Sequence, residues 1–462
     1  KTTLAPPLKW WATFTESLRD RSIGEQQTWF PLPSNQRRYF EVLITSHGAI
    51  LVAATPRCDL CDLLCKNLPS RSLVQLIIGY CMAKTLETLE TPCLVLDADR
   101  LEQNVARMRR KTGALGVALR PHVKTAKSIE VTQLALGGDM TGGKITVSTL
   151  KEADFFFSFG IRDILYAVGI TPNKLDHALR LRQAGADLTL ILDNVEAARI
   201  VAQKGVATGE RFPVLLEIDS DGHRSGIQPD HPGLLEIAQT VQDGKGAQLR
   251  GVMTHAGSSY GGDSPRAIQA TAEQERIAVV HSAERLAAAG FPCPIVSVGS
   301  TPTATFAETL TGVTEVRAGV FVFFDLVMAG LGVCSIEDIA ISVLTTVLGH
   351  QPEKGWIITD AGWMALSRDR GTARQKVDQG YGQVCDIDGN PIENLTVLDT
   401  NQEHGIIGDR SGHGLDLSKF PVGTTLRILP NHACATAAQH SCYHVVRQGT
   451  EIEAIWERFN GW

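Results

Sequence analysis

Lys124 lies in the run Arg120-Pro121-His122-Val123-Lys124-Thr125-Ala126-Lys127, where an apolar stretch from Gly116 to Val123 gives way to a segment of helical period. Barrel enzymes place reactive groups at such strand ends, and a primary amine there suits a Schiff base to a carbonyl cofactor. Far downstream, Pro430-Asn431-His432-Ala433-Cys434 sets an imidazole and a thiol two residues apart. On an extended segment that alternation turns both to one side. Nitrogen and sulfur donors of this kind suit a zinc-like ion, and two protein ligands leave positions open for water or substrate. A lone histidine or cysteine is more often a satisfied core residue, so spacing alone leaves that alternative open. A carbonyl cofactor with a Lewis acid points to elimination from a hydroxylated amino acid.

These residues need elements to carry them. Apolar or β-branched runs recur at 116–123, 145–148, 163–168, 188–192, 213–218, 249–254, 294–298 and 315–319, separated by helical segments such as 150–159, 172–184, 195–204 and 266–289. Eight alternations of strand and helix predict an α/β fold, a (β/α)8 TIM barrel over residues 105–335. From about Ser335 the text changes to strands at 338–348, 356–359, 395–398, 425–429 and 443–446, joined by turns rich in Gly and Pro. That predicts a C-terminal antiparallel β domain over 336–462, with the segment 86–104 joining the two and its strand near Cys93 placed to pair with the tail.

The candidate site gathers from the residues just past the end of each predicted barrel strand. The first strand ends at Lys124 and the third at Tyr166-Ala167. The fifth runs into Asp219 to Gly226, including Arg224, and the sixth into His255 to Tyr260. The seventh gives Gly299-Ser300-Thr301-Pro302-Thr303 and the eighth Arg317-Ala318-Gly319-Val320. Glycines and hydroxyls after the last two strands suit a phosphate, although an ordinary helix cap would account for 299–303 taken alone. A phosphate opposite a strand-end lysine indicates pyridoxal 5′-phosphate. Lys127 competes with Lys124, but it is expected one turn into a helix and facing solvent. Arg224 is expected to face the pyridine nitrogen, with a structural ion pair as the alternative.

The 462 residues carry a formal net charge of −6, so no basic footprint marks a nucleic-acid or anionic-lipid partner. No apolar run approaches the roughly 20 residues of a membrane helix. Cysteines scattered through so large a chain are expected to be reduced, which suggests a cytoplasmic protein. Residues 1–81 contain no methionine and hold three of the seven tryptophans, Trp10, Trp11 and Trp29. This atypical extension is expected to be an artefact of upstream translation or cloning, with a genuine extension as the alternative, and its deletion is expected to leave activity intact. Cys58, Cys61 and Cys65 resemble half a zinc site but lack a well-spaced fourth ligand.

Together, 120–125, 221–226, 299–303, 401–405 and 430–434 resemble, in order, the fold-type III pyridoxal phosphate-dependent D-serine dehydratase and D-threonine aldolase family. The resemblance covers about residues 86–462. It implies a homodimer with an alanine racemase-like barrel, the cofactor on Lys124, and cofactor contacts at Tyr260, Thr301, Gly319 and Val320. Tyr166, Arg224, His255 and Ser300 complete the candidate cofactor set. The metal falls on His432 and Cys434, as zinc or another divalent ion such as manganese, cobalt or nickel. In that family His-x-Cys marks dehydratases and His-x-Asp marks aldolases.

The implied reaction is loss of water from a 3-hydroxy D-amino acid. 3-Hydroxyaspartate would give oxaloacetate and ammonia, and serine would give pyruvate. Retro-aldol cleavage to glycine and an aldehyde is the enzymatic alternative, and a pyridoxal phosphate carrier is the non-enzymatic one. Phe321, Met253 and a long turn at 137–143 depart from the pattern and leave fine substrate preference open. A second substrate carboxylate would need a cation, for which Arg368 and Arg370 are candidates, a plain surface loop being the alternative.

Overall fold

The computed structural model describes residues 84–462 and three short strands, β1 (Gln26–Thr28), β2 (Phe40–Thr45) and β3 (Gly48–Ala53). Two compact units divide the chain, Lys1–Lys84 and Thr85–Trp462. In the first, β1, β2 and β3 form an antiparallel sheet in that order. The possible half zinc site at Cys58, Cys61 and Cys65 lies outside the described residues.

The second unit begins with β4 (Cys93–Asp97) and a helix, Ala98–Ala114, whose first turn is capped by the Asp97 carboxylate accepting from the Arg100 N–H. Eight strands follow: β5 (Ala118–Pro121), β6 (Lys144–Val147), β7 (Asp163–Gly169), β8 (Asp187–Leu192), β9 (Phe212–Ile218), β10 (Ala247–Thr254), β11 (Ile295–Val298) and β12 (Glu315–Ala318). They pair in parallel in the order β5-β12-β11-β10-β9-β8-β7-β6. A bridge between His122 and Thr146, with the Val123 N–H donating to the Thr146 carbonyl at 3.0 Å, closes β5 onto β6. Each strand overlaps one of the eight apolar runs, because a barrel strand is buried on both faces and so reads as a continuous apolar stretch.

Alternation along the strands sorts the side chains. Leu165, Ile191, Leu215 and Met253 pack together inside the barrel, with Ala167 and Ile295 against them. A charged layer shares that interior. The buried Arg120 guanidinium donates from Nε to Glu315 at 2.9 Å and from Nη1 to Asp163 at 2.8 Å. Breaking such a pair strands a buried charge, so Glu315→Ala is expected to cost about 3 kcal/mol, the low end for buried pairs because Asp163 remains. Denaturant unfolding of the variant measures this.

The C-terminal half adds β13 (Ile341–Gln351), β14 (Trp356–Thr359), β15 (Gln383–Cys385), β16 (Pro391–Thr400), β17 (Gly405–Asp409), β18 (Thr425–Leu429), β19 (Cys442–Val446) and β20 (Ile452–Glu457). With β4 they form one sheet, β14-β17-β16-β15-β18-β13-β4-β19-β20, which curls so that β13 also pairs with β14. The pairing is antiparallel except for β4 with β19, which run parallel with His444 opposite Val95. β4 enters from ahead of the barrel, so no hairpin constrains its direction. β15, β17 and β20 correspond to no predicted run. β15 is three residues long, β17 holds Gly405 and Gly408, and β20 alternates half-buried residues with exposed ones such as Glu453 and Glu457.

Candidate active site

After Pro121 the chain turns rather than entering a helix, which begins only at Ile129. Lys124 projects from this turn with an exposed side chain that makes neither a hydrogen bond nor an ion pair among the described residues. Lys127 differs from expectation. It adopts φ +46 in the turn, its N–H donates to the Val123 carbonyl at 2.9 Å, and its ammonium sits 3.3 Å from the buried Glu152 and 5.4 Å from the Phe459 ring centroid. It is neither helical nor solvent-facing. The ion pair occupies its amine and leaves Lys124 as the available one.

The loops after β11 and β12 face this turn. Ser300 caps the helix Thr301–Phe306, its Oγ accepting from the Thr303 N–H at 3.1 Å and pairing with Ser259 Oγ at 3.0 Å. Thr301 Oγ1 accepts from the Phe321 N–H at 3.2 Å and so ties the two loops together. Glu275, buried on the helix Pro265–Ala288, accepts from the Ala256 and Gly299 N–H groups at 3.0 and 3.1 Å. At Gly319 a Cβ would stand 2.9 Å from the His122 carbonyl and 3.0 Å from Thr125 Oγ1, so only glycine lets this loop lie against the Lys124 turn. The N–H groups of Gly319 and Val320 have no partner among the described residues. Unpaired amides beside a free lysine are the donor set a phosphate-bearing aldehyde requires, and pyridoxal phosphate fits it.

His255 lines the same mouth. Its Nδ1–H donates to the Gly299 carbonyl at 2.7 Å, and burial, helped by the nearby cations Arg224, Arg317 and Lys124, lowers its pKa to about 4. The ring is therefore neutral at pH 7. Burial likewise holds His122 well below the ordinary value. Both rings bind protons more weakly folded than unfolded, so stability is full above about pH 6.5 and declines as pH falls towards 4. Thermal unfolding across that range is expected to show this slope, flattened in His255→Gln.

Arg224 is 60% exposed and lies 3.9 Å from Glu217. Tyr260, 39% exposed, lies with its ring 6.2 Å from that of His255, and the Thr301 N–H approaches its hydroxyl. Tyr166 is a correction to the predicted site. It alternates with Leu165, which lines the barrel interior, so it packs outward in the layer between strands and helices. Its hydroxyl accepts from Lys174 Nζ at 3.0 Å.

His432 and Cys434 also differ locally from expectation. The strand ends at Leu429, His432 occupies the N-cap of a short helix, Ala433–Ala437, and Cys434 lies in its first turn. The two side chains still meet, through the helix turn rather than through extended alternation. Cys434 Sγ lies 3.2 Å from Thr125 Oγ1, next to the strand-end lysine. Burial opposes a thiolate here, yet His432, Lys124 and Thr125 together hold the thiol below its ordinary value. His432 Nδ1 lies 2.7 Å from Asp369 Oδ2. Partial desolvation works against a charged ring, which remains 43% exposed, but Asp369 and Cys434 raise its pKa well above the usual imidazole value. A carboxylate and a thiol of lowered pKa flank the imidazole, and a nitrogen and a sulfur donor placed together in this way suit a divalent cation. A divalent ion therefore fits His432 and Cys434. No cluster of three or more such ligands occurs among the described residues.

Two supporting residues carried no signal in the sequence. Asp369 orients His432, and Asp325 accepts from the Met328 N–H at 2.9 Å and the Ala433 N–H at 2.9 Å, fastening the ligand helix to the segment after β12. Asp369 stands between the two candidate arginines of the run 367–370, but its pairing across 63 residues of sequence leaves no local trace. Asp369→Asn is expected to weaken zinc binding roughly 10- to 100-fold, measured by competition with a chromogenic chelator.

A parallel (β/α)8 barrel with a free lysine at its first strand end, an amide cradle after its last two strands and an antiparallel barrel-like domain defines a fold-type III pyridoxal phosphate enzyme. Residues 96–327 match the alanine racemase N-terminal domain and residues 340–446 a serine dehydratase domain. The chain belongs to the D-serine dehydratase and D-threonine aldolase family. It is 56% identical over 384 residues to the D-threo-3-hydroxyaspartate dehydratase of Delftia sp. (strain HT23), covering 82% of this chain and 100% of that one. The solved structure of that enzyme superposes with a TM-score of 0.80 over the same shares. D-threo-3-hydroxyaspartate dehydratase has also been solved as a Cys-to-Ala variant in a metal-free form and as a His-to-Ala variant, the exchanged residues lying two positions apart. The D-serine dehydratase of Dictyostelium discoideum is 32% identical over 384 residues, 79% of this chain and 96% of its own. The 3-hydroxy-D-aspartate aldolase of Paracoccus denitrificans is 27% identical over 379 residues, 80% of this chain and 91% of its own.

Proposed function

We propose that this protein is a pyridoxal phosphate- and divalent metal-dependent dehydratase. Its first substrate is D-threo-3-hydroxyaspartate, converted to oxaloacetate and ammonia, with D-serine giving pyruvate as a slower reaction. The observation that carries this reading is the meeting of Cys434 with Thr125 at 3.2 Å, which sets the His432–Cys434 pair beside Lys124. Pyridoxal phosphate, held by Lys124, Gly319, Val320, Thr301, Ser300, His255, Tyr260 and Arg224, supplies the electron sink for a carbanion at Cα. A divalent ion on His432 and Cys434 supplies Lewis acidity for a β-hydroxyl, which is otherwise a poor leaving group.

Lys124 Nζ, without a hydrogen bond or ion pair among the described residues, takes the Cα proton. The Arg224 guanidinium lies beside the mouth and would discourage protonation of a ring nitrogen placed against it. His255, neutral and fixed by Gly299, presents a flat face without adding charge. Loss of the Cα proton and the β-hydroxyl leaves an enamine, and water converts this to the keto acid and ammonia.

We infer also that the chain acts as a homodimer, as the family resemblance implies, which light scattering tests. Six described cysteines are all unpaired, which supports a cytoplasmic setting. Among the described residues no helix is long and apolar enough to cross a membrane.

Incubating the protein, loaded with cofactor and zinc, with D-threo-3-hydroxyaspartate, D-serine and D-threonine tests the reading. Ammonia with oxaloacetate or pyruvate, abolished by a chelator and restored by added metal, is expected. Glycine with an aldehyde and no ammonia would establish the aldolase alternative, and bound cofactor without turnover the carrier.

A further inference from the structure

The loop that carries Asp369 onto His432 also carries two arginines, and the structure treats them differently. Arg370 is engaged: it donates to Asp378 at 2.7 Å and lies 5.0 Å from the Tyr381 ring centroid. Arg368 lies exposed over the Trp363 ring at 5.0 Å and pairs with no carboxylate among the described residues. We propose that Arg368 binds the distal carboxylate of a dicarboxylic substrate and thereby sets the preference for 3-hydroxyaspartate over serine; this rests on the dehydratase reading above.

The backbone on both sides of Arg368 is pinned to the ligand segment. Asp369 Oδ2 lies on His432, its carbonyl accepts from Asn431 Nδ2 at 3.1 Å, and its Oδ1 accepts from the Gly371 N–H at 2.8 Å. On the other side Ser367 is buried at φ +78, a positive value that a non-glycine residue rarely adopts. That turn ends the short helix Trp363–Leu366 and sends residue 368 back past the Trp363 ring. The indole face offers the guanidinium a cation–π contact, and a planar fork of donors matches a carboxylate. In a chain of net charge −6, an unpaired arginine one residue from the partner of His432 is suited to a dianion in the mouth. Serine offers no second carboxylate and would gain nothing from it.

The test uses the holoenzyme with Arg368→Gln, Arg368→Lys and Arg370→Gln, measuring kcat and KM for D-threo-3-hydroxyaspartate and D-serine, and malate binding by calorimetry. For Arg368→Gln, KM for the dicarboxylate and the malate Kd are expected to rise about 10- to 100-fold, with KM for D-serine within about twofold. Arg368→Lys should recover part of the loss, and Arg370→Gln should leave the ratio of the two substrates unchanged. A rise in KM for both substrates alike, or no change in malate affinity, would overturn the proposal. Wild-type protein that binds malate through Arg368 but dehydrates neither substrate would sink the dehydratase reading instead.

Discussion

Lys124→Ala is expected to lower kcat/KM for D-threo-3-hydroxyaspartate by more than about 10³-fold, because in the proposed assignment one substitution removes both the cofactor's anchor and the base for the Cα proton. The side chain is exposed and free of ion pairs among the described residues, so the stability change should stay within about 0.5 kcal/mol. Borohydride reduction of the holoenzyme followed by peptide mass spectrometry should place the pyridoxyl group on Lys124. Lys127→Ala provides the contrast. It removes the 3.3 Å pair with the buried Glu152, so it should lower the unfolding midpoint while the cofactor stays covalently bound. If the pyridoxyl group appears on Lys127, the assignment of the turn is wrong.

His432→Ala or Cys434→Ala is expected to leave only trace metal in the purified protein and to lower ammonia release by roughly 10²- to 10⁴-fold, since Lewis-acid help to a leaving hydroxyl is worth several kcal/mol. The proposed mechanism gives proton abstraction and hydroxyl departure to different residues, so the two steps should separate. In deuterated water the variants should still exchange the Cα hydrogen of D-serine, through Lys124, without forming pyruvate. Full ammonia production by a metal-free variant would refute the metal's role. Loss of Cα exchange together with elimination would show that the His432 segment supports Lys124 rather than acting on the β-carbon.

Much of this was legible without coordinates wherever local pattern suffices. A strand buried on both faces is apolar along its whole length, so eight such runs with helical segments between them announce a barrel. The lysine at the first strand end and the glycines after the last two come with that count. Boundaries failed where residues serve turns rather than periods: Lys127 reads as helical but closes a left-handed turn, and His432 and Cys434 read as extended but open a helix. Tyr166 sits at the correct strand end on the wrong face, a one-residue difference that sends a side chain into the helix layer instead of the mouth.

The amino-acid sequence by itself determined the repeating units, a lysine at a strand end, and an imidazole and a thiol two residues apart. Tertiary structure alone decided that these belong to one site. Cys434 reaches Thr125 across 309 residues because β4, entered before the barrel, pairs with β13 and β19 and holds the C-terminal domain to the helix that feeds β5. Asp325 and Asp369 then fasten the ligand helix from the barrel side and from the facing loop. Contacts of that kind depend on which distant segments the closed sheets bring together. Neither propensity nor spacing encodes them, since both describe a residue only against its own near neighbours.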